Sequence, residues 1–248
     1  MDPAAGTLLT ALGAAHGVVC LVGAGGKKTS LYALARATAG RVAVTSTSHM
    51  YRYDRSRVDE VFVVTGEPPR APNGVRIVAY AGPTDTPARV AGLRPEAIAS
   101  LWESGDFELV LVKADGARGR LIKAPGDEEP LVLPFASTVI PVVGAAAFGR
   151  PLDARVAHRP EILADVAGLS LSETIAPVHV ARLLSSPRGG LKNVGDAEVV
   201  PLINMVDDDE RYRAARLAAQ LALRWTSRFD RVVLAQMKTS RLIEVIRR

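Results

Sequence analysis

Gly17-Val18-Val19-Cys20-Leu21-Val22-Gly23-Ala24-Gly25-Gly26-Lys27-Lys28-Thr29-Ser30-Leu31 decides how the rest of the chain is read. Val18 to Val22 is continuously apolar, as in a strand buried on both faces of a parallel sheet. Three glycines within four residues follow, and Leu31, Leu34 and Ala35 then recur at helical spacing. Strand, glycine loop and helix in that order make an anion site. Glycines let successive amides turn into one concavity, and the helix start adds partial positive charge. Lys27 at the helix entry supplies a mobile ammonium, and a Ser/Thr hydroxyl there can ligate magnesium. Gly23, Ala24, Gly25, Gly26, Lys27, Lys28, Thr29 and Ser30 are therefore the candidate nucleotide-binding residues, with ATP or GTP as ligand.

The match to Gly-x-x-x-x-Gly-Lys-Ser/Thr is incomplete. With Gly26-Lys27 as the pair, Leu21 takes the early glycine position and Lys28 the hydroxyl position. With Lys28-Thr29 as the pair, Gly23 stands one residue too close. The dinucleotide fingerprint fits less well, because Lys28 occupies its last small-residue position. Cys20 lies inside the apolar run and reads as core filling.

Outward from this loop, further β-branched runs alternate with helical patterns. Strands are expected at Arg41 to Thr47, Val61 to Val64, Val75 to Ala79, Phe107 to Val112, Thr138 to Val143, Val199 to Asn204 and Arg231 to Ala235. Helices are expected at Thr29 to Thr38, Pro95 to Glu103, Pro160 to Val166, Pro177 to Ser185 and Asp208 to Trp225. Such alternation predicts an α/β fold in three layers, a mostly parallel sheet flanked by helices in the manner of P-loop NTPases. The 248 residues read as one nucleotide-binding domain, with an irregular insertion at Gly66 to Pro87 and a long loop at Gly116 to Pro134.

Composition narrows the function. A 48% hydrophobic, 23% charged chain excludes wholesale disorder, and a single cysteine excludes an internal disulfide framework. Pro3 to Gly26 carries no formal charge but is broken too often by glycine for a membrane span. It also lacks the basic start of a signal peptide. A cytoplasmic protein is expected. The net charge is +5, and of the 31 basic residues only six are lysine. Two of those six stand together in the glycine loop. The arginines are spread along the chain, so small anions are the expected partners and nucleic acid is not. The Tyr51-Arg52-Tyr53-Asp54-Arg55-Ser56-Arg57 cluster is the exception that leaves RNA open.

Asp115, at the end of an apolar strand and before a glycine, is placed to face magnesium or its water, or to start a turn. Lys27 and Asp115 are the candidate catalytic pair, and Thr29 and Asp115 the candidate Mg²⁺ ligands. Thr45, Thr47 and His49 end another strand, where α/β ligands gather. Asn204 and Asp207 sit as in a guanine-reading motif, although Asp207 can equally cap the next helix. His158 and Arg159 can bind an anion or cap a helix. The four histidines are scattered, so no transition-metal set is visible.

These motifs together resemble the YqeC family, accessory proteins of selenium-dependent molybdenum hydroxylases. The resemblance rests on Val22 to Lys27, Thr45 to Met50, Lys113-Ala114-Asp115-Gly116-Ala117-Arg118-Gly119, Lys123-Ala124-Pro125, Glu129-Pro130, His158-Arg159-Pro160-Glu161 and Leu202 to Asp207. It implies a P-loop nucleotide-binding fold and a partner in the hydroxylase or its cofactor machinery. Two positions depart from the family pattern: Lys28 replaces a threonine and Lys113 a glutamate. Both remove groups a magnesium-dependent hydrolase would use. Two readings follow, a weak NTPase and a nonhydrolytic module that carries an anionic cofactor or docks a client enzyme.

Overall fold

In the computed structural model, residues 8–248 are described. The central sheet contains β1 (Gly17–Gly23), β2 (Val42–Ser46), β3 (Glu60–Val63), β4 (Ile77–Ala81), β5 (Leu109–Lys113), β6 (Thr138–Gly144), β7 (Leu202–Asn204), β8 (Arg231–Gln236) and β9 (Arg241–Arg247). Their order across the sheet is β9-β8-β7-β6-β1-β5-β2-β4-β3, with the short strand Glu198–Val199 also on β6. Every pairing is parallel except β8 with β9. This is the expected α/β architecture, with β1 and its glycine loop in the middle of the sheet.

The helices are α1 (Lys27–Ala37), α2 (Pro95–Glu103), α3 (Pro160–Ala167), α4 (Pro177–Ser185) and α5 (Asp209–Trp225). Alternation along β1 assigns the two faces. Val19 and Leu21 pack with Leu31, Tyr32 and Leu34 of α1. Val18, Cys20 and Val22 face the layer holding Ile98, Leu163, Val180 and Ala218, from α2 to α5. Cys20 is fully buried, and burial pushes its thiol up to about 12, the behaviour of core rather than of a reactive group. Among the described residues no helix is long and apolar enough to cross a membrane.

Three expectations need correction. Residues 66–87 are not one irregular insertion, because β4 lies inside them with all five residues buried. The run Val199 to Asn204 is two strands, since Pro201 has no N–H for the ladder. Within 116–134, Ile122–Lys123 forms a short strand paired with Ala157–His158. The antiparallel β9 was not anticipated. Its alternation is blurred by Arg241, Glu244 and Arg247, as expected of an edge strand.

Candidate functional site

Strand register assembles the site. Lys113 on β5 lies opposite Leu21 on β1 and opposite Ser46 on β2. The glycine loop, the segment from residue 113 and the turn after Ser46 therefore leave the same carboxyl edge side by side, where parallel α/β sheets bind ligands.

The loop is held by its glycines. Gly23, Gly25 and Gly26 have φ of 86°, 84° and 110°, a region L-residues avoid. A Cβ on Gly25 would lie 2.0 Å from the Gly144 nitrogen, and one on Gly26 would lie 2.5 Å from Asn204 Nδ2. The Asn204 amide donates to the Gly25 carbonyl at 2.8 Å and accepts the Met237 N–H at 2.9 Å. It is a strut beneath the loop rather than a base reader.

The amides of the loop are largely engaged. Gly23 N–H donates to Asp115 Oδ2 at 2.9 Å. Ala24 N–H donates to Val142 O at 2.9 Å, and Gly25 N–H to Arg120 O at 3.0 Å. What stays open is the first turn of α1. Lys27, Lys28 and Thr29 precede the first intrahelical donor, the Ser30 N–H that meets the Gly26 carbonyl, and their amides sit at the positive end of the helix dipole.

Behind the loop runs a buried chain of alternating charge. Lys27 Nζ lies 2.9 Å from Asp115 Oδ1, with side-chain exposures of 3% and 1%. The same ammonium donates to the Gly23 carbonyl, so Lys27 ties the carboxylate to the loop. Lys123 Nζ lies 2.9 Å from Asp115 Oδ2 and 2.8 Å from Glu129 Oε2. Arg159 then pairs with Glu129. Burial pushes the Lys27 ammonium down and Asp115 pulls it back up.

In front of the loop lies a cleft of about 480 Å³. Lys27, Lys28, Arg89, Lys113, Arg118, Arg120 and Arg159 line it, and Glu129 is its one acidic residue. Arg118 and Arg159 hold φ of 48° and 60°, and Met205 on the same wall 62°. Left-handed backbone at non-glycine residues gathers at functional sites. Lys28 Nζ donates to the carbonyls of Tyr51 and Arg52 at 3.2 and 2.6 Å, which fixes it at the cleft mouth. Lys113 is buried, and its Nζ donates to Ser48 Oγ at 2.7 Å. Burial, then the nearby Lys27 ammonium, push Lys113 down to about 7.

Of the other candidates, His49, His158 and Arg159 line the cleft. Arg159 is the N-cap of α3 by backbone but makes no side-chain cap. Thr45 is buried and donates to Tyr80 O at 2.9 Å. Thr47 turns toward Leu131 O, and Ser30 donates back to Gly26 O at 3.1 Å. Asp207 accepts from Arg211 and Gln236, and the cap of α5 is Asp208, which takes the Arg211 N–H. In the basic cluster Tyr53 is buried, and Arg57 lies over the Tyr32 ring. That leaves Tyr51 as its exposed aromatic.

The residues do not fit a magnesium ion held by Thr29 and Asp115. Thr29 opens on a separate hollow with Asp54, Asp207 and Gln236. Asp115 is enclosed by two ammonium groups and one amide, so its charge is already met. Lys123, Glu129 and Ser48 belong to the site as much as the loop does, although no spacing rule singles them out. The available signal was lysine scarcity: of six lysines, Lys27, Lys113 and Lys123 are buried. An Arg-rich chain keeps lysine where a compact, proton-releasing cation is needed.

The site sets two pH responses. Burial raises Glu129, but hydrogen bonds from Lys123 and Arg159 outweigh it and hold the carboxyl at about 2. Its stabilisation is present above the ordinary value and lost as pH falls through about 2. Lys113 works at the other end. The unfolded chain binds its proton up to near 10.5 and the folded chain only to about 7, so stability from this group rises with pH between them. Urea unfolding of the parent and of Lys113→Met at pH 6.5 and 8.5 checks this. The parent is expected to gain stability over the variant at the higher pH, and parallel behaviour would contradict the assignment.

A family model described as YqeC protein matches residues 19–161. The chain is also 32% identical over 188 residues to "Uncharacterized protein YqeC" of Escherichia coli (strain K12), covering 71% of each sequence.

Proposed function

The chain belongs to the YqeC family, and within it we propose a nucleoside-polyphosphate-binding protein whose fixed cations do the work usually given to magnesium. The observation that carries this reading is the cleft at the start of α1, lined among the described residues by the seven lysines and arginines named above and one acid. Its volume suits the phosphates and ribose of ATP or GTP, and the open amides of Lys27, Lys28 and Thr29 supply donors. Two ammonium groups beside the β- and γ-oxygens oppose a dication at the same place. At an effective dielectric of about 20, one charge pair at 4 Å is worth roughly 4 kcal/mol before desolvation.

The same geometry favours binding over hydrolysis. Asp115 is locked between Lys27 and Lys123 and is not free to position an attacking water. The cellular role that goes with this reading is delivery or docking in the assembly of a selenium-dependent molybdenum hydroxylase.

Calorimetric titration with ATP and GTP, in EDTA and in excess magnesium, tests the proposal. Magnesium is expected to change affinity by less than tenfold. Lys28→Ala is expected to weaken binding about tenfold or more, since a charge-assisted contact is worth about 1.5–3 kcal/mol. A hundredfold gain from magnesium, or brisk magnesium-dependent phosphate release, would refute it.

A further inference from the structure

We propose that Ser48 and Lys113 form a nucleophile–base pair on the wall of the cleft, built to take a phosphoryl group from the polyphosphate. The substrate in this statement rests on the function proposed above; the pair itself does not. Ser48 Oγ and Lys113 Nζ are 2.7 Å apart, within the reach a base needs for a hydroxyl proton. Both residues line the cleft. Lys113 is 8% exposed, while Ser48 is only half-buried. The nucleophile thus faces the cleft and the base lies behind it.

The serine is positioned from both sides. Its N–H donates to Ser46 Oγ at 3.1 Å, and Ser46 Oγ donates to the Ser48 carbonyl at 2.8 Å. Ser46 Oγ lies equally close, 2.8 Å, to the Lys113 carbonyl, a second acceptor that its one proton can serve in turn, which ties the turn to the strand that carries the base. A surface lysine that merely met phosphate would need none of this.

The surroundings favour a neutral amine. Burial and the ammonium groups of Lys27 and Lys123 disfavour charge on Lys113, and Asp115 and Glu129 oppose them only partly. In the step, Lys113 Nζ takes the Ser48 proton as the Oγ–P bond forms. The bond from phosphorus to the bridging oxygen breaks, and a nucleoside diphosphate leaves with that electron pair. The phosphoserine so formed can pass its phosphoryl group to an acceptor, which is chemistry of the serine-with-base kind.

A fluorophosphonate probe tests the pair on the full chain without nucleotide. Ser48 Oγ bonds to phosphorus, the P–F bond breaks, and fluoride leaves. Peptide mapping is expected to find the adduct on Ser48, absent in Ser48→Ala. The rate is expected to fall at least a hundredfold in Lys113→Arg and Lys113→Met. Arginine keeps the charge but cannot act as a base, so it separates the pair from a purely electrostatic lysine. Thermal unfolding of each variant confirms folding, and half-buried Ser48→Ala serves if a Lys113 variant fails. In parallel, γ-phosphate-labelled ATP is expected to label Ser48. An adduct on Ser48 in a chain that does not bind ATP supports the pair and sinks only the nucleotide reading. ATP bound with no adduct on Ser48, or Lys113→Arg reacting as fast as the parent, overturns the pair.

Discussion

Asp115→Ala is expected to lower folding stability by about 3–5 kcal/mol, the usual cost of stripping one partner from a buried ion pair. The carboxylate serves three groups at once: Lys27 and Lys123 at 2.9 Å each and the Gly23 amide at 2.9 Å. Its loss leaves two ammonium groups almost without solvent and without the carboxylate they share. Glu129 still meets Lys123, which is why the estimate is not larger. Urea unfolding gives the number, and a loss below about 1 kcal/mol would show that the buried chain is not a support. Adding Lys27→Met to Asp115→Ala is expected to recover part of the loss, because the unpaired charge goes with it. Such coupling is what a double-mutant cycle isolates.

Gly25→Ala is expected to remove polyphosphate binding by at least about a hundredfold, and to destabilise the fold by about 2–5 kcal/mol. The second figure combines a left-handed φ for an L-residue, about 1–2 kcal/mol, with overpacking of about 1–3 kcal/mol. The new methyl would meet the Gly144 nitrogen at 2.0 Å and its Cα at 2.5 Å. Those are backbone atoms at the end of β6, the strand beside β1, so nothing flexible can yield. The loop must lift, and with it the first turn of α1. Gly116→Ala is the matched control on the same cleft. No atom lies within 4 Å of its new methyl, so its stability is expected to stay within about 0.5 kcal/mol. Equal effects of the two substitutions would show that the loop is not built on that close approach.

The framework was legible because its signals are local. The apolar run of β1, the glycines and the spacing of Leu31 and Leu34 placed strand, loop and α1 to within about two residues. α2 and α4 begin and end where proline starts and apolar spacing predict. The charge partners were not legible, because pairing depends on contacts far apart in the chain. Nothing near Gly23 announces that its N–H meets a carboxylate 92 residues on. Thr29 read as a metal ligand from its spacing, yet it lines the hollow with Asp54 and Asp207 while Asp115 meets Lys27 and Lys123. Asn204 and Asp207 read as a pair, whereas β7 sends one beneath the loop and the other to Arg211 and Gln236.

The cations of this site divide by depth. Arg118 is exposed and feels the ionic atmosphere, whose screening length is about 8 Å at physiological strength. Lys27 and Lys123, with side-chain exposures of 3% and 0%, lie beyond the reach of mobile ions. Added salt therefore weakens the field of the rim while leaving the buried charge chain nearly unchanged. The field outside and the field within become separately adjustable, the first by the surrounding electrolyte and the second by the protein alone.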